Sequence, residues 1–103
     1  MRKAARTDAN QEQIVSCLRG YGMSVQSLAA VGKGVPDLLV GWRGKNFLLE
    51  VKDGKKPPSQ TQLTPDQIEW HGAWRGAKPH VVHSVNEAVS VILESFKSVG
   101  PAE

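Results

Sequence analysis

The chain holds a single cysteine, Cys17, in 103 residues, which excludes an internal disulfide and a zinc site built on cysteine pairs. A lone thiol fits a reducing compartment, so a cytoplasmic protein is expected. No apolar run approaches the ~20 residues that span a bilayer, and no membrane association is expected. The start, Met1-Arg2-Lys3-Ala4-Ala5-Arg6, is basic but lacks the apolar segment of a signal peptide. Internal repeats are absent as well. One domain over 1–103 is the expectation, with 1–9 flexible and 98–103 a tail. Gly32-Lys33-Gly34 is too short for a phosphate-binding loop and no strand-to-helix step follows it, so no small-molecule cofactor is expected.

What is present is an uneven distribution of charge. Lys33, Arg43, Lys45, Lys52, Lys55 and Lys56 face only three acids between residues 31 and 60, whereas residues 61–103 hold three bases against five acids. Clustered positive charge of this kind suits a polyanion such as nucleic acid. Along the chain, Ile14, Val15, Leu18 and Tyr21 recur at helical spacing, predicting a helix over about 10–21 capped by Asp8 or Asn10. Cys17 lies beside that stripe and reads as a buried structural thiol. Residues 24–30 read as a strand. Asp37–Arg43 and Phe47–Lys52 read as two more, joined through a Gly44-Lys45-Asn46 turn as an antiparallel hairpin. Their near-continuous apolar character predicts a sheet covered on both faces.

A polar, basic loop fills 53–63, long enough to suggest function. Thr64-Pro65-Asp66-Gln67 then has the form of a capping box opening a second helix, on which Trp70 and Trp74 read as core residues and His71 as a solvated surface group. Residues 79–83 read as a strand. Ser84-Val85-Asn86-Glu87 opens a last helix with Val85, Ala88, Val89, Ile92 and Phe96 as its apolar stripe. The order is α-β-β-β-α-β-α.

The chemistry concentrates at Asp37, Glu50 and Lys52. Alternation along a strand puts Glu50 and Lys52 on one face, and hairpin pairing brings Asp37 at the start of one strand near Lys52 at the end of the next. Burying such charges without a partner costs several kcal/mol, so a functional reason is expected. Two hard carboxylates suit Mg2+ or Mn2+, with waters and phosphate oxygens completing the shell. Lys52 would orient the attacking water or stabilise transition-state charge.

Gly34-Val35-Pro36-Asp37, the strand ending Glu50-Val51-Lys52, and Leu63-Thr64-Pro65-Asp66-Gln67 leading into Trp70 together resemble the PD-(D/E)xK nuclease superfamily. Within it they are most similar to the VRR-NUC group, whose short stand-alone members occur in bacteriophages. The resemblance spans roughly residues 10–83. It implies a restriction-endonuclease-like α/β core, a mixed β-sheet flanked by helices, with divalent-metal-dependent cleavage of DNA in a bacterial or phage-infected cell. It makes Asp37 and Glu50 metal ligands, Lys52 the catalytic lysine, the main-chain carbonyl of Val51 a further ligand, and Gln67 a residue beside the site. Gln67 is equally well explained as the capping-box partner of Thr64. Where the family has a metal-approaching glutamate on the first helix, this chain has Gln11, with Glu12 next to it as the adjacent candidate. Lys33, Arg43, Lys45, Lys55 and Lys56 are expected to hold DNA phosphates. The resemblance favours structure-selective cutting of branched or junction DNA, and cutting both strands needs two sites, hence a homodimer. The rival reading is a catalytically silent DNA-binding or assembly module with the same fold.

Overall fold

The structure, a computed structural model, describes residues 9–97. The expectations for the 1–9 segment (Ala9 apart), for Asp8 as a cap and for the 98–103 tail lie outside those residues. The elements are α1 (Ala9–Gly20), β1 (Ser24–Ser27), β2 (Leu38–Trp42), β3 (Lys45–Val51), α2 (Pro65–Ala73), β4 (His80–Val82) and α3 (Val85–Glu94). A 3-10 turn at Pro58–Gln60 interrupts the basic loop. The order read from the sequence is the order observed, in a restriction-endonuclease-like mixed α/β fold.

The α1 helix buries Ile14 and Leu18 one turn apart, as the spacing requires. It ends in a Schellman motif: the Met23 N–H reaches the Leu18 carbonyl at 3.2 Å and the Gly22 N–H reaches that of Arg19 at 2.9 Å. Asn10 does not cap this helix. It lies within the first turn, and its side-chain amide donates to the carbonyls of Lys52 and His83, at 3.3 and 3.4 Å. That pins the start of α1 to the ends of β3 and β4.

The sheet runs β1-β2-β3-β4, antiparallel except for the β3–β4 pair. In the β2–β3 hairpin Leu38 lies opposite Leu49 and Trp42 opposite Lys45, so the turn is the pair Arg43-Gly44 rather than residues 44–46. Both turn residues have positive φ, 50° and 83°, the twist that suits a two-residue hairpin. The Arg43 guanidinium lies 4.3 Å over the Trp42 ring, a cation–π contact that accompanies this unusual conformation for a non-glycine residue.

Leu38, Val40, Phe47, Leu49, Val25 and Val82 form the sheet side of one core with Ile14, Leu18, Ala88 and Ile92 from α1 and α3. Phe96 closes its end, edge-on to Trp42 at 5.4 Å. The opposite face carries half-buried Leu39 and Leu48 and the buried Glu50. Among the described residues α2 meets it at Glu50 and the segment after α2 lies beside Leu39 and Leu48, so its cover is thinner than the two fully covered faces expected. None of the residues of α2 is buried. Trp70 and Trp74 are accordingly not core. They stack on each other, centroids 4.6 Å apart and 14° between planes, with Trp74 43% exposed.

Candidate active site

β2 opens and β3 closes at the same end of the sheet, and the site forms there. Asp37 immediately precedes β2, its carbonyl accepting from the Leu28 N–H at 2.8 Å. Its Oδ2 accepts from the Val51 N–H at 2.8 Å, so the carboxylate is tied across the hairpin to β3. The N–H and C=O of one strand residue face the same edge, which turns the Val51 carbonyl toward Asp37 as well. Glu50, on the α2 face, is 1% exposed, the one buried charged residue among those described.

Gln67 joins the site together. Its Oε1 accepts from the Lys52 ammonium at 2.9 Å and from the Thr64 N–H at 2.9 Å, and its Nε2 donates to Glu50 Oε2 at 3.1 Å. The Thr64 hydroxyl returns the cap by accepting from the Gln67 N–H at 3.2 Å. One side chain thus closes the capping box and bonds both Lys52 and Glu50. Ser84-Val85-Asn86-Glu87 has the sequence form of another capping box, but only half of it forms: Ser84 caps the Glu87 N–H, and the Glu87 carboxylate accepts from the His83 N–H one residue earlier.

His71, expected on a solvated surface, lies with Nε2 3.0 Å from Glu50 Oε1 and its side chain 13% exposed. Sequence spacing held the signal for this, since Gln67 and His71 are one turn apart on α2. The separation is that of an ion pair, yet both groups are driven toward neutrality. Burial pushes the Glu50 carboxyl up to about 8, helped by its hydrogen bond to Asp37 and then by the Asp37 charge, while Lys52 pulls weakly the other way. Burial, then Lys52 and Lys78, lowers His71. The contact is a hydrogen bond first and a charge pair second.

Gly34 sets how closely α2 approaches. It has φ +83°, and a Cβ there would lie 2.6 Å from the Asp66 carbonyl carbon and 3.0 Å from the Gln67 nitrogen. The motif Gly-Val-Pro-Asp thus supplies both a carboxylate and the gap into which the start of α2 fits.

The remaining sequence candidates divide. Lys33 shares a groove with Asp66, Glu69 and Trp70 at the start of α2. Lys55 and Lys56 are exposed just beyond Lys52. Gln11 is half-buried in the first turn of α1, which Asn10 holds against Lys52, and Glu12 is exposed. Arg43 and Lys45 lie at the hairpin tip, five to six residues along the strand from Asp37 and so roughly 16–20 Å away at 3.3 Å per strand residue. Their heads are engaged there, Lys45 donating to the Ser95 carbonyl at 2.9 Å and lying 4.8 Å from the Phe96 ring.

The donor chemistry fits a hard divalent cation. The Asp37 carboxyl is, after burial, part of what raises Glu50. A cation between two such carboxylates relieves the strain that a shared proton otherwise relieves. Among the described residues no group of three or more His, Cys, Asp or Glu could hold a metal. Two carboxylates with water and substrate oxygens match the habits of Mg2+ or Mn2+.

No family model matches the chain, and no curated protein does. Among solved structures the chain is similar to one described as "VRR_NUC domain", with TM-score 0.61 and 32% identity, covering 84% of this chain and 92% of that one.

Proposed function

The chain belongs to the VRR-NUC family of nuclease domains, and from that premise we propose that it is a divalent-metal-dependent DNA endonuclease selective for branched or junction DNA. The observation that carries this reading is the pairing of Asp37 with the buried Glu50 beside a lysine held in place by Gln67. Asp37 and Glu50 would hold Mg2+ or Mn2+, with the Val51 carbonyl at hand and Gln11 or Glu12 on the α1 side. The bound cation would supply Lewis-acid activation of the phosphodiester and of the attacking water.

The protein's own groups do the rest. Glu50 presents its carboxylate from a rigid strand with its orientation fixed by Gln67. Lys52, held at 2.9 Å by the same amide, directs its ammonium toward the attacking water or the charge that grows on the phosphate. Lys33, Lys55 and Lys56 border this end and hold the DNA backbone in a salt-sensitive, sequence-independent way. Arg43 and Lys45 would reach only DNA running along the sheet. One chain carries one such site, so cutting both strands of a junction calls for a homodimer.

The test is cleavage of single-stranded, duplex, flapped and four-way-junction DNA with Mg2+, Mn2+ or EDTA, for wild type and Lys52→Ala. Metal-dependent cutting that vanishes in Lys52→Ala is expected, strongest on the junction. One observation favours the silent-module reading instead: the site has two carboxylates, with Gln11 where the family has an acid. DNA binding without cutting in either metal would decide for it.

A further inference from the structure

We propose that His71 is a positioning residue that fixes the Glu50 carboxylate for the cation, an inference that rests on the metal-site reading above. Each oxygen of Glu50 has one partner on α2: Gln67 Nε2 at 3.1 Å on Oε2 and His71 Nε2 at 3.0 Å on Oε1. A carboxylate oxygen has two lone pairs, so one protein donor on each leaves a second free for a cation. With Glu50 ionised at the cation, the contact requires His71 to donate its Nε2–H, and two donors one helical turn apart then fix the plane of the carboxylate.

His71 is itself held from behind. Its carbonyl accepts from the Lys78 ammonium at 2.9 Å, and the same ammonium reaches the carbonyls of Gly72 and Trp74. Its ring meets Trp70 edge-on, 6.3 Å between centroids and 79° between planes, and Trp70 stacks on Trp74. That gives the stacked tryptophan pair a role that core packing does not: it buttresses the imidazole that orients the carboxylate. Groups of this kind behind a metal-binding carboxylate change metal affinity or activity by about 10–100-fold when removed.

The experiment titrates wild type, His71→Ala, His71→Phe and His71→Gln with Mn2+, following free Mn2+ by electron paramagnetic resonance, with near-ultraviolet circular dichroism to confirm folding. Junction cleavage is measured beside it. His71→Phe keeps a ring against Trp70 but has no donor, and His71→Gln keeps an N–H of similar reach. The expected result is Mn2+ affinity about 10–100-fold weaker in Ala and Phe, recovered within a few-fold in Gln. Cleavage should fall in step, and excess Mn2+ should restore part of it. Wild-type affinity in folded His71→Phe overturns the proposal and leaves the nuclease reading standing, as does a Gln variant as weak as Phe. A wild type that takes up no Mn2+ overturns the metal-site reading and this inference together.

Discussion

Gly34→Ala tests whether α2 is placed on the site by backbone contact. The substitution imposes two costs that can be separated. An L-residue at φ +83° costs about 1–2 kcal/mol in the left-handed region. The new methyl would also sit 2.6 Å from the Asp66 carbonyl carbon, against backbone that no rotamer can move aside. Ordinary contact begins near 3.4 Å, so the start of α2 must retreat by about 1 Å or the core must absorb about 1–3 kcal/mol of overpacking. A retreat of that size lengthens the bonds of Gln67 to Lys52 and Glu50 from 2.9 and 3.1 Å toward 4 Å, which ends them. Gly32→Ala is the matched control. Its φ is +73°, but nothing lies within 4 Å of the added methyl, so it bears the conformational cost alone. Thermal melts should place Gly34→Ala below Gly32→Ala by roughly 5–15 °C, from about 4–8 °C per kcal/mol for a domain of this size. Cleavage should fall at least ten-fold in Gly34→Ala and little in Gly32→Ala. Equal melting temperatures and equal activity in the two variants would refute the argument that this glycine seats α2.

Three further outcomes follow from particular contacts. Glu50 has its carboxyl raised to about 8 from an unfolded value of 4.5, so the folded protein holds a proton that the unfolded chain has released between those values. Metal-free protein in EDTA should therefore lose a few kcal/mol of stability as pH rises from about 5 to 8, levelling off above 8, and Glu50→Gln should flatten the curve; a flat wild-type curve would show that Glu50 is ionised throughout. Gln67→Ala removes a capping partner and the Lys52–Glu50 bridge together, so it should cost about 1–2 kcal/mol in a urea melt and abolish cleavage, whereas Thr64→Ala should cost a similar amount with a smaller loss of activity. Lys55→Ala and Lys56→Ala should each weaken junction binding and lower the salt slope by about one, while Lys45→Ala should leave that slope unchanged and destabilise the end of α3, where its ammonium meets the Ser95 carbonyl.

The fold was legible because its core follows simple periods. Ile14 and Leu18 mark a helix face, Leu38 and Val40 against Leu49 and Phe47 mark a hairpin, and Thr64-Pro65-Asp66-Gln67 marks a helix start that the structure reproduces bond for bond. Asp37, Glu50 and Lys52 were legible as a group because strand alternation and hairpin pairing are local rules, whereas Gln67 came from the capping box and the family resemblance. What those rules miss is contact between elements distant in the chain. Apolar Trp70 and Trp74 read as core, but α2 bonds to the sheet through the face that carries Gln67 and His71, and the tryptophans stack on each other short of full burial. Asn10 read as a cap because asparagine favours caps, and its partners prove to be carbonyls 42 and 73 residues away. Arg43 and Lys45 counted as part of a basic cluster in sequence, but the hairpin carries them to the far end of the sheet.

The placement of α2 explains why an ionisable group is kept buried at Glu50. No side chain of α2 is fully buried, so its position depends on Gly34 and on polar bonds as well as on the half-buried Trp70. Those bonds converge on Glu50 and Lys52, so the groups assigned to the reaction are also the groups that dock the helix. Replacing Glu50 by an apolar residue would remove the raised carboxyl and its cost, but it would also free Gln67 and His71 from their anchor. Stability and site geometry are thus coupled through one carboxylate. A cation bound there should tighten α2 as well as enable cleavage, and amide hydrogen exchange along 65–73 should slow when Mn2+ is added to wild type but not to Glu50→Gln.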